Sequence, residues 1–300
     1  MVRSAMLGIA VALLVGGGYL AICAYAASVL TVVPRTIDLS KSPAQVELAF
    51  RAVRLPSRTP GIELAGWYLP APDSTRALVL VHGHTSSRSA EFGGRFVELV
   101  AAMRQRGFAV LAFDLRGHGQ SSAANSGFGS LEHADVAGAI DWLRAQGFAA
   151  GRIGVFGVSM GGAAAIRATA DDPAVAALVA DSAPAEVLEV VGQEWSGASG
   201  LPDFFLPTTL QIAKLRYGID LEVAPAIAAL PRIEPRPVLL IHGLADSLIA
   251  PSNATRLSAA LPGSEVWLVP GAEHARSYMA DPASYIARVG DFFPRYIPGT

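Results

Sequence analysis

The chain has 300 residues, 52% of them hydrophobic and only 16% charged, with a formal net charge of −2. Such a composition can fill a large core and is not that of a disordered chain, and no basic run suggests nucleic acid as a partner. The one cysteine, Cys23, excludes an intramolecular disulfide and a metal site built from cysteines.

The first stretch differs from the rest. No charge occurs from Ser4 through Pro34, and residues 5–33 are almost wholly apolar. A helix needs about 20 apolar residues to cross a bilayer, whereas the apolar region of a secretory signal runs to about 7–15. The length favours an uncleaved anchor, with Arg3 and the amino terminus as its positive flank. Ala24-Tyr25-Ala26 resembles a small-x-small cleavage site and keeps a cleaved signal open, while bulky Ile22 ahead of Cys23 argues against lipoprotein processing. Arg35, Lys41, Arg51 and Arg54 follow the span closely, so the positive-inside rule leaves the orientation ambiguous. The expected division is a transmembrane anchor or signal over residues 1–36 and one folded domain over 37–300.

Beyond a linker at 40–45, strands are predicted over 46–55 and 62–69, separated by the turn-rich Pro56-Ser57-Arg58-Thr59-Pro60-Gly61. Residues 77–81 read as a buried strand ending at His82-Gly83. A helix is expected over 92–106, with Phe96, Leu99, Val100 and Met103 on one face and Gly107 as its stop. A strand follows at 109–113, then a helix at 132–146 with Val136, Ile140 and Leu143 on one side. Residues 153–156 and 175–180 are strands flanking a helical run over 162–168. Residues 183–235 carry no strand pattern but contain Trp195, Phe204, Phe205, Leu206, Leu210 and Tyr217, and read as a cap insertion. Strands at 237–241 and 265–269 and helices at 252–261 and 282–293 complete the chain. Alternation of this kind predicts an α/β fold: a mostly parallel, doubly wound sheet with its active groups at the strands' carboxyl ends.

One motif carries chemistry. Gly157-Val158-Ser159-Met160-Gly161 has the form G-x-S-x-G, with an apolar β-branched run before it and a helix after it. A serine on so sharp a turn is expected in a strained backbone conformation with its hydroxyl above the sheet, and the glycines stand where a Cβ would collide. Serine is a poor nucleophile near neutral pH without a base oriented by an acid. In such a turn the partners follow in the order Ser, Asp or Glu, His. His242 and His274 alone among the histidines follow Ser159. Order selects Asp246, in His242-Gly243-Leu244-Ala245-Asp246, as the acid and His274, in Gly271-Ala272-Glu273-His274, as the base. Asp181 is the competing acid. An oxyanion needs two backbone donors, here expected from Met160 and from His84 in the loop His82-Gly83-His84-Thr85. Asp114, Arg116, His118 and Ser121, in the glycine-rich turn after the strand at 109–113, are expected to brace the loops near the site. His133 and Asp135 open a helix, with no third ligand to support a metal.

Together these motifs resemble the α/β-hydrolase superfamily over residues 46–293, nearest its serine aminopeptidase-like and monoacylglycerol-lipase-like branch, which includes membrane-anchored bacterial members. The resemblance implies an α/β-hydrolase fold with a small cap, a Ser159–His274–Asp246 triad and no cofactor. It implies cleavage of a small carboxylic ester, short-to-medium acyl or monoacylglycerol-like, through an acyl-enzyme. Peptidase, thioesterase or amidase chemistry on the same triad remains open, as does a non-catalytic membrane-tethered binding protein. The implied setting is a bacterial inner membrane, or a secreted or periplasmic location if the leader is cleaved, with no obligate protein partner. The loop after His82-Gly83 departs from the pattern, reading His84-Thr85-Ser86-Ser87-Arg88 where a longer glycine run would stand.

Overall fold

The computed structural model describes residues 2–33, 35, 38, 40–223 and 225–299. The boundary expected at 36–37 lies outside the described residues. Eight strands form one sheet: β1 (Arg51–Pro56), β2 (Glu63–Leu69), β3 (Ala77–Val81), β4 (Ala109–Phe113), β5 (Ile153–Val158), β6 (Val175–Asp181), β7 (Val238–Gly243) and β8 (Glu265–Val269). Their spatial order is β1-β2-β4-β3-β5-β6-β7-β8. The β1–β2 and β2–β4 pairings are antiparallel, and every pairing from β4 to β8 is parallel.

Helices cover both faces: α2 (Glu91–Gly94), α3 (Phe96–Gln105), α4 (His133–Ala145), α5 (Met160–Asp171), α9 (Ser252–Ala260), α10 (Ser277–Ala280) and α11 (Pro282–Tyr296). Before them stands α1 (Val2–Leu30), and between β6 and β7 lie α6 (Val187–Ser199), α7 (Leu206–Tyr217) and α8 (Ala226–Ala229). The central strands are buried along their whole length, as a run of apolar residues without alternation demands. Successive side chains still separate by face. Val79 and Val81 of β3 join Val136, Ile140 and Leu143 of α4 on one side, while Leu78 and Leu80 join Phe96, Leu99 and Met103 of α3 on the other.

Several boundaries differ from the sequence expectation; the helix expected over 162–168, for instance, spans Met160–Asp171. The first strand starts at Arg51 rather than 46, because Pro43–Val46 closes a 3₁₀ turn and Glu47 takes a left-handed conformation at φ 52°. The helix expected from residue 92 starts at Phe96, since Phe92 and Gly93 sit at φ 54° and 64° and break the run. The last helix continues through Pro294 to Tyr296.

α1 is long and apolar enough to cross a membrane, and its first half is exposed. Its second half rests on α7 and the turn before it. The Tyr19 hydroxyl donates to the Phe204 carbonyl at 3.1 Å and lies 2.8 Å from the Thr208 hydroxyl. The Tyr19 ring stacks on Phe205 with centroids 5.0 Å apart. Cys23 and Ala27 are fully buried, and Thr31 continues the attachment by accepting from Asn125 Nδ2 at 2.6 Å.

The turn after β4 is held by buried ion pairs. Arg88 pairs with Asp114, which also accepts the backbone N–H of Gln120 at 2.8 Å. Arg116 reaches both oxygens of Asp135 on α4, 2.7 Å at the closest, and the two side chains are 4% and 0% exposed. Removing one partner leaves a buried charge unmatched. Asp135→Ala is therefore expected to cost about 3–5 kcal/mol, read as a lower urea midpoint with an unchanged slope.

Candidate active site

β5 delivers Ser159 to the carboxyl edge of the sheet and α5 leaves it at once. The turn between them is set by contact. A Cβ on Gly157 would lie 2.3 Å from the Gly161 carbonyl oxygen, and one on Gly161 would lie 2.2 Å from the His82 carbonyl oxygen. Only glycine fits either position, so β3, β5 and α5 close around a turn that puts Ser159 at φ 52°, ψ −121°. The Ser159 N–H donates to the Asp181 carbonyl at 2.8 Å, fixing the turn to β6 as well.

The side chains expected to meet do meet. Ser159 Oγ lies 2.9 Å from His274 Nε2, and His274 Nδ1 lies 2.8 Å from Asp246 Oδ2. A carboxylate only accepts, so Nδ1 carries the ring proton and donates, leaving Nε2 free to accept from the serine hydroxyl. Asp246 stands in the loop after β7 and is itself restrained, its Oδ1 accepting the N–H groups of Leu248 at 3.1 Å and Ile249 at 2.8 Å. Burial alone would raise its pKa. The hydrogen bonds from His242, His274 and Ile249 outweigh that and hold the carboxyl well below the usual range, so Asp246 is ionised at any ordinary pH.

Asp181, the competing acid, is engaged elsewhere. Its carboxylate accepts from Tyr285 Oη at 2.7 Å, Ser182 Oγ at 2.9 Å and Ser277 Oγ at 3.3 Å, and burial pushes its pKa up.

Two neighbours take parts that the sequence did not assign them. His242 is buried at the end of β7, donating from Nε2 to the Ile249 carbonyl at 2.7 Å with Asp246 Oδ2 3.2 Å away. Burial would lower its pKa, but the bonds to Asp246 and Ile249 leave it raised. Glu91 is the other. Its Oε2 accepts the Gly83 N–H at 2.7 Å, which removes that N–H from any other use and leaves the His84 N–H as the next donor along the loop. A histidine four residues before the aspartate and a glutamate eight after Gly83 were visible signals. Neither spacing, however, says which atom faces which.

Met160 N–H stands at the first turn of α5, where helix geometry leaves it without an intrahelical acceptor. The His84 ring packs on Phe128 at 4.8 Å and His118 at 6.1 Å, with its Nδ1 unpartnered. Burial, and after it the neighbouring His118, pushes its pKa down to about 4. A cavity of about 250 Å³ opens beside Ser159, walled by Phe128, Val187, Val191, Trp195 and Leu248, with Glu194 also among its lining residues. Of the expected braces, Ser121 Oγ donates to the Asp114 carbonyl at 2.5 Å and His118 Nδ1 lies 2.7 Å from the Arg116 carbonyl oxygen; beside them Leu115 N–H donates to His82 Nε2 at 3.0 Å.

The profile of the serine aminopeptidase S33 family matches residues 72–204. An uncharacterized Mycobacterium tuberculosis protein is 32% identical over 218 residues, which span 71% of this chain and 69% of that protein. The uncharacterized Bacillus subtilis protein YqkD is 27% identical over 238 residues, spanning 77% and 75% of the two chains. Among solved structures, an esterase of Pyrococcus furiosus superposes with a TM-score of 0.73 at 26% identity, covering 89% of this chain and 98% of the esterase. The α/β hydrolase GrgF of Penicillium shares the fold at a TM-score of 0.65 and 20% identity, over 83% of this chain and 99% of GrgF.

Two measurements follow from the geometry. Gly161→Ala should destabilise the protein by about 1–3 kcal/mol through overpacking against the His82 carbonyl, seen as a lower melting temperature. His84 has a folded pKa near 4 against an ordinary value of 6.5, so below pH 6.5 the unfolded chain binds a proton the folded one refuses. Stability should fall as pH drops through that window. His84→Gln should make the fall shallower in urea titrations at successive pH values.

Proposed function

Because the chain belongs to the α/β-hydrolase superfamily, we propose that it is a serine hydrolase acting on carboxylic esters, with Ser159 as nucleophile, His274 as general base and acid, and Asp246 as the orienting carboxylate. The observation that carries this reading is the unbroken chain of contacts, 2.9 Å from Ser159 Oγ to His274 Nε2 and 2.8 Å from His274 Nδ1 to Asp246 Oδ2. Ser159 Oγ attacks the ester carbonyl carbon as its proton passes to His274 Nε2. The imidazolium so formed is stabilised by Asp246, which stays ionised. The carbonyl oxygen takes up the negative charge between the N–H groups of Met160 and His84, assisted by the positive end of α5. Collapse expels the alcohol, which takes the proton from Nε2–H. Water, deprotonated by Nε2 in the same way, then releases the acid and restores Ser159.

The largely apolar cavity and the esterase likeness favour an ester with an apolar acyl group. Glu194, which lines the same cavity as Ser159, supports a second reading, aminopeptidase action, because a carboxylate there would pair with a free amino group. α1 is proposed to remain as a membrane anchor, since cleavage after Ala26 would remove the Tyr19 and Cys23 attachments to the turn before α7.

Ser159→Ala should abolish hydrolysis of p-nitrophenyl esters while leaving the melting temperature unchanged. Asp246→Asn should lower kcat by about 10⁴ by allowing the wrong imidazole tautomer. His84→Ala keeps the backbone donor and should cost less than about tenfold, far short of the 10²–10³ typical of losing an oxyanion donor. Turnover of aminoacyl p-nitroanilides in preference to the esters would select the aminopeptidase reading.

A further inference from the structure

The membrane helix reaches the catalytic cavity. Leu30, at the carboxyl end of α1, lines the same space as Ser159 and Met160. Next to that space lies a second cavity of about 560 Å³, a groove between Ala21, Ile22, Tyr25 and Val29 of α1 and Trp195, Ala198 and Leu201 of the cap. Leu30, Trp195 and Ala198 line both. At about 250 Å³ the serine's own cavity is small, below the roughly 300–1,000 Å³ of ordinary small-molecule pockets. A short acyl group fills it, and a longer one has the groove as its continuation.

The depth of the groove follows from the helix. Counting about 20 residues from Val2 for a bilayer's hydrocarbon core ends near Ala21. Tyr19, Phe205 and the 64% exposed Phe204 cluster at that level, where aromatic rings favour the boundary between lipid and water. The groove thus begins where α1 leaves the bilayer and runs toward Ser159. Among the described residues, neither cavity is lined by Lys or Arg, and Glu194 at the inner one repels anionic headgroups.

Resting on the reading of Ser159 as a nucleophile, we infer that the groove between α1 and α6 receives the alkyl chain of a neutral single-chain ester drawn from the bilayer. α1 is then a wall of the substrate site as well as an anchor. The chain slides out of lipid along Ile22, Tyr25 and Val29, passes Leu30 and Trp195, and brings its ester carbonyl to Ser159. Little apolar surface meets water on the way.

The test uses the full-length protein in phosphatidylcholine vesicles and a hexadecyl fluorophosphonate bearing a diazirine at the far end of its chain. Phosphonylation of Ser159, followed on irradiation by cross-links to α1 between residues 21 and 30 or to residues 195–201, is the expected result. Phosphonylation with cross-links confined to other parts of the chain overturns the groove while sparing the nucleophile. Absence of phosphonylation overturns the nucleophile and the inference with it. As a kinetic readout, Val29→Trp fills the groove outside the serine cavity. It should lower kcat/KM for a vesicle-borne palmitoyl ester by about tenfold or more, and for p-nitrophenyl acetate by less than about twofold. Equal losses on the two substrates would contradict the groove.

Discussion

At Ser159 the chain is forced into a left-handed turn because Gly157 lies against the Gly161 carbonyl and Gly161 against the His82 carbonyl. No side chain fits between β3, β5 and α5 at this point. The strain at one residue is maintained by the packing of a whole parallel sheet, which over-determines it. The Ser159 hydroxyl consequently has one place to be, and the loops after β3, β7 and β8 have only to bring their groups there. The His82-Gly83 loop is held by Glu91, the Asp246 loop by its own N–H bonds and His242, and the His274 loop by Asp246. In the proposed hydrolysis, preorganisation of this kind would leave little reorganisation to accompany the development of charge on a bound carbonyl oxygen.

The buried carboxylates divide into distinct environments. Asp246, with histidines and backbone N–H groups around it, is kept charged. Glu91 and Asp181, both buried, have their pKa values pushed upward by burial and serve to tie backbone and hydroxyl groups together. Asp181 closes β6 and spends its carboxylate on Tyr285, Ser182 and Ser277, with no hydrogen bond to the His274 imidazole. Chain order selected the aspartate that meets the imidazole because it reflects where the loops of a doubly wound sheet emerge.

Much of this architecture was legible in the sequence. The strands at β3 to β8 are short apolar runs whose ends coincide with chemistry-bearing residues, and the pattern of period and punctuation located them to within a few residues. The missed details were those decided by distant partners. Glu47 and Phe92 adopt positive φ, which no local propensity announces, and so shorten β1 and α3. The Arg116–Asp135 pair joins a loop to a helix 19 residues away, and the roles of His242 and Glu91 depend on which lone pair faces which N–H. The attachment of α1 was the largest omission. The length of an apolar run can favour an anchor over a signal, but nothing in its composition shows that Tyr19 stacks on Phe205 or that Leu30 lines the cavity beside Ser159.

The proposed hydrolysis requires Ser159 to form a covalent acyl intermediate, and that species has a mass. Acid quenching during turnover of a p-nitrophenyl ester, followed by peptide mapping, should reveal the acyl group on the peptide carrying Ser159, with no adduct in Ser159→Ala. Turnover without any acylated peptide, or an adduct that persists in Ser159→Ala, would contradict it.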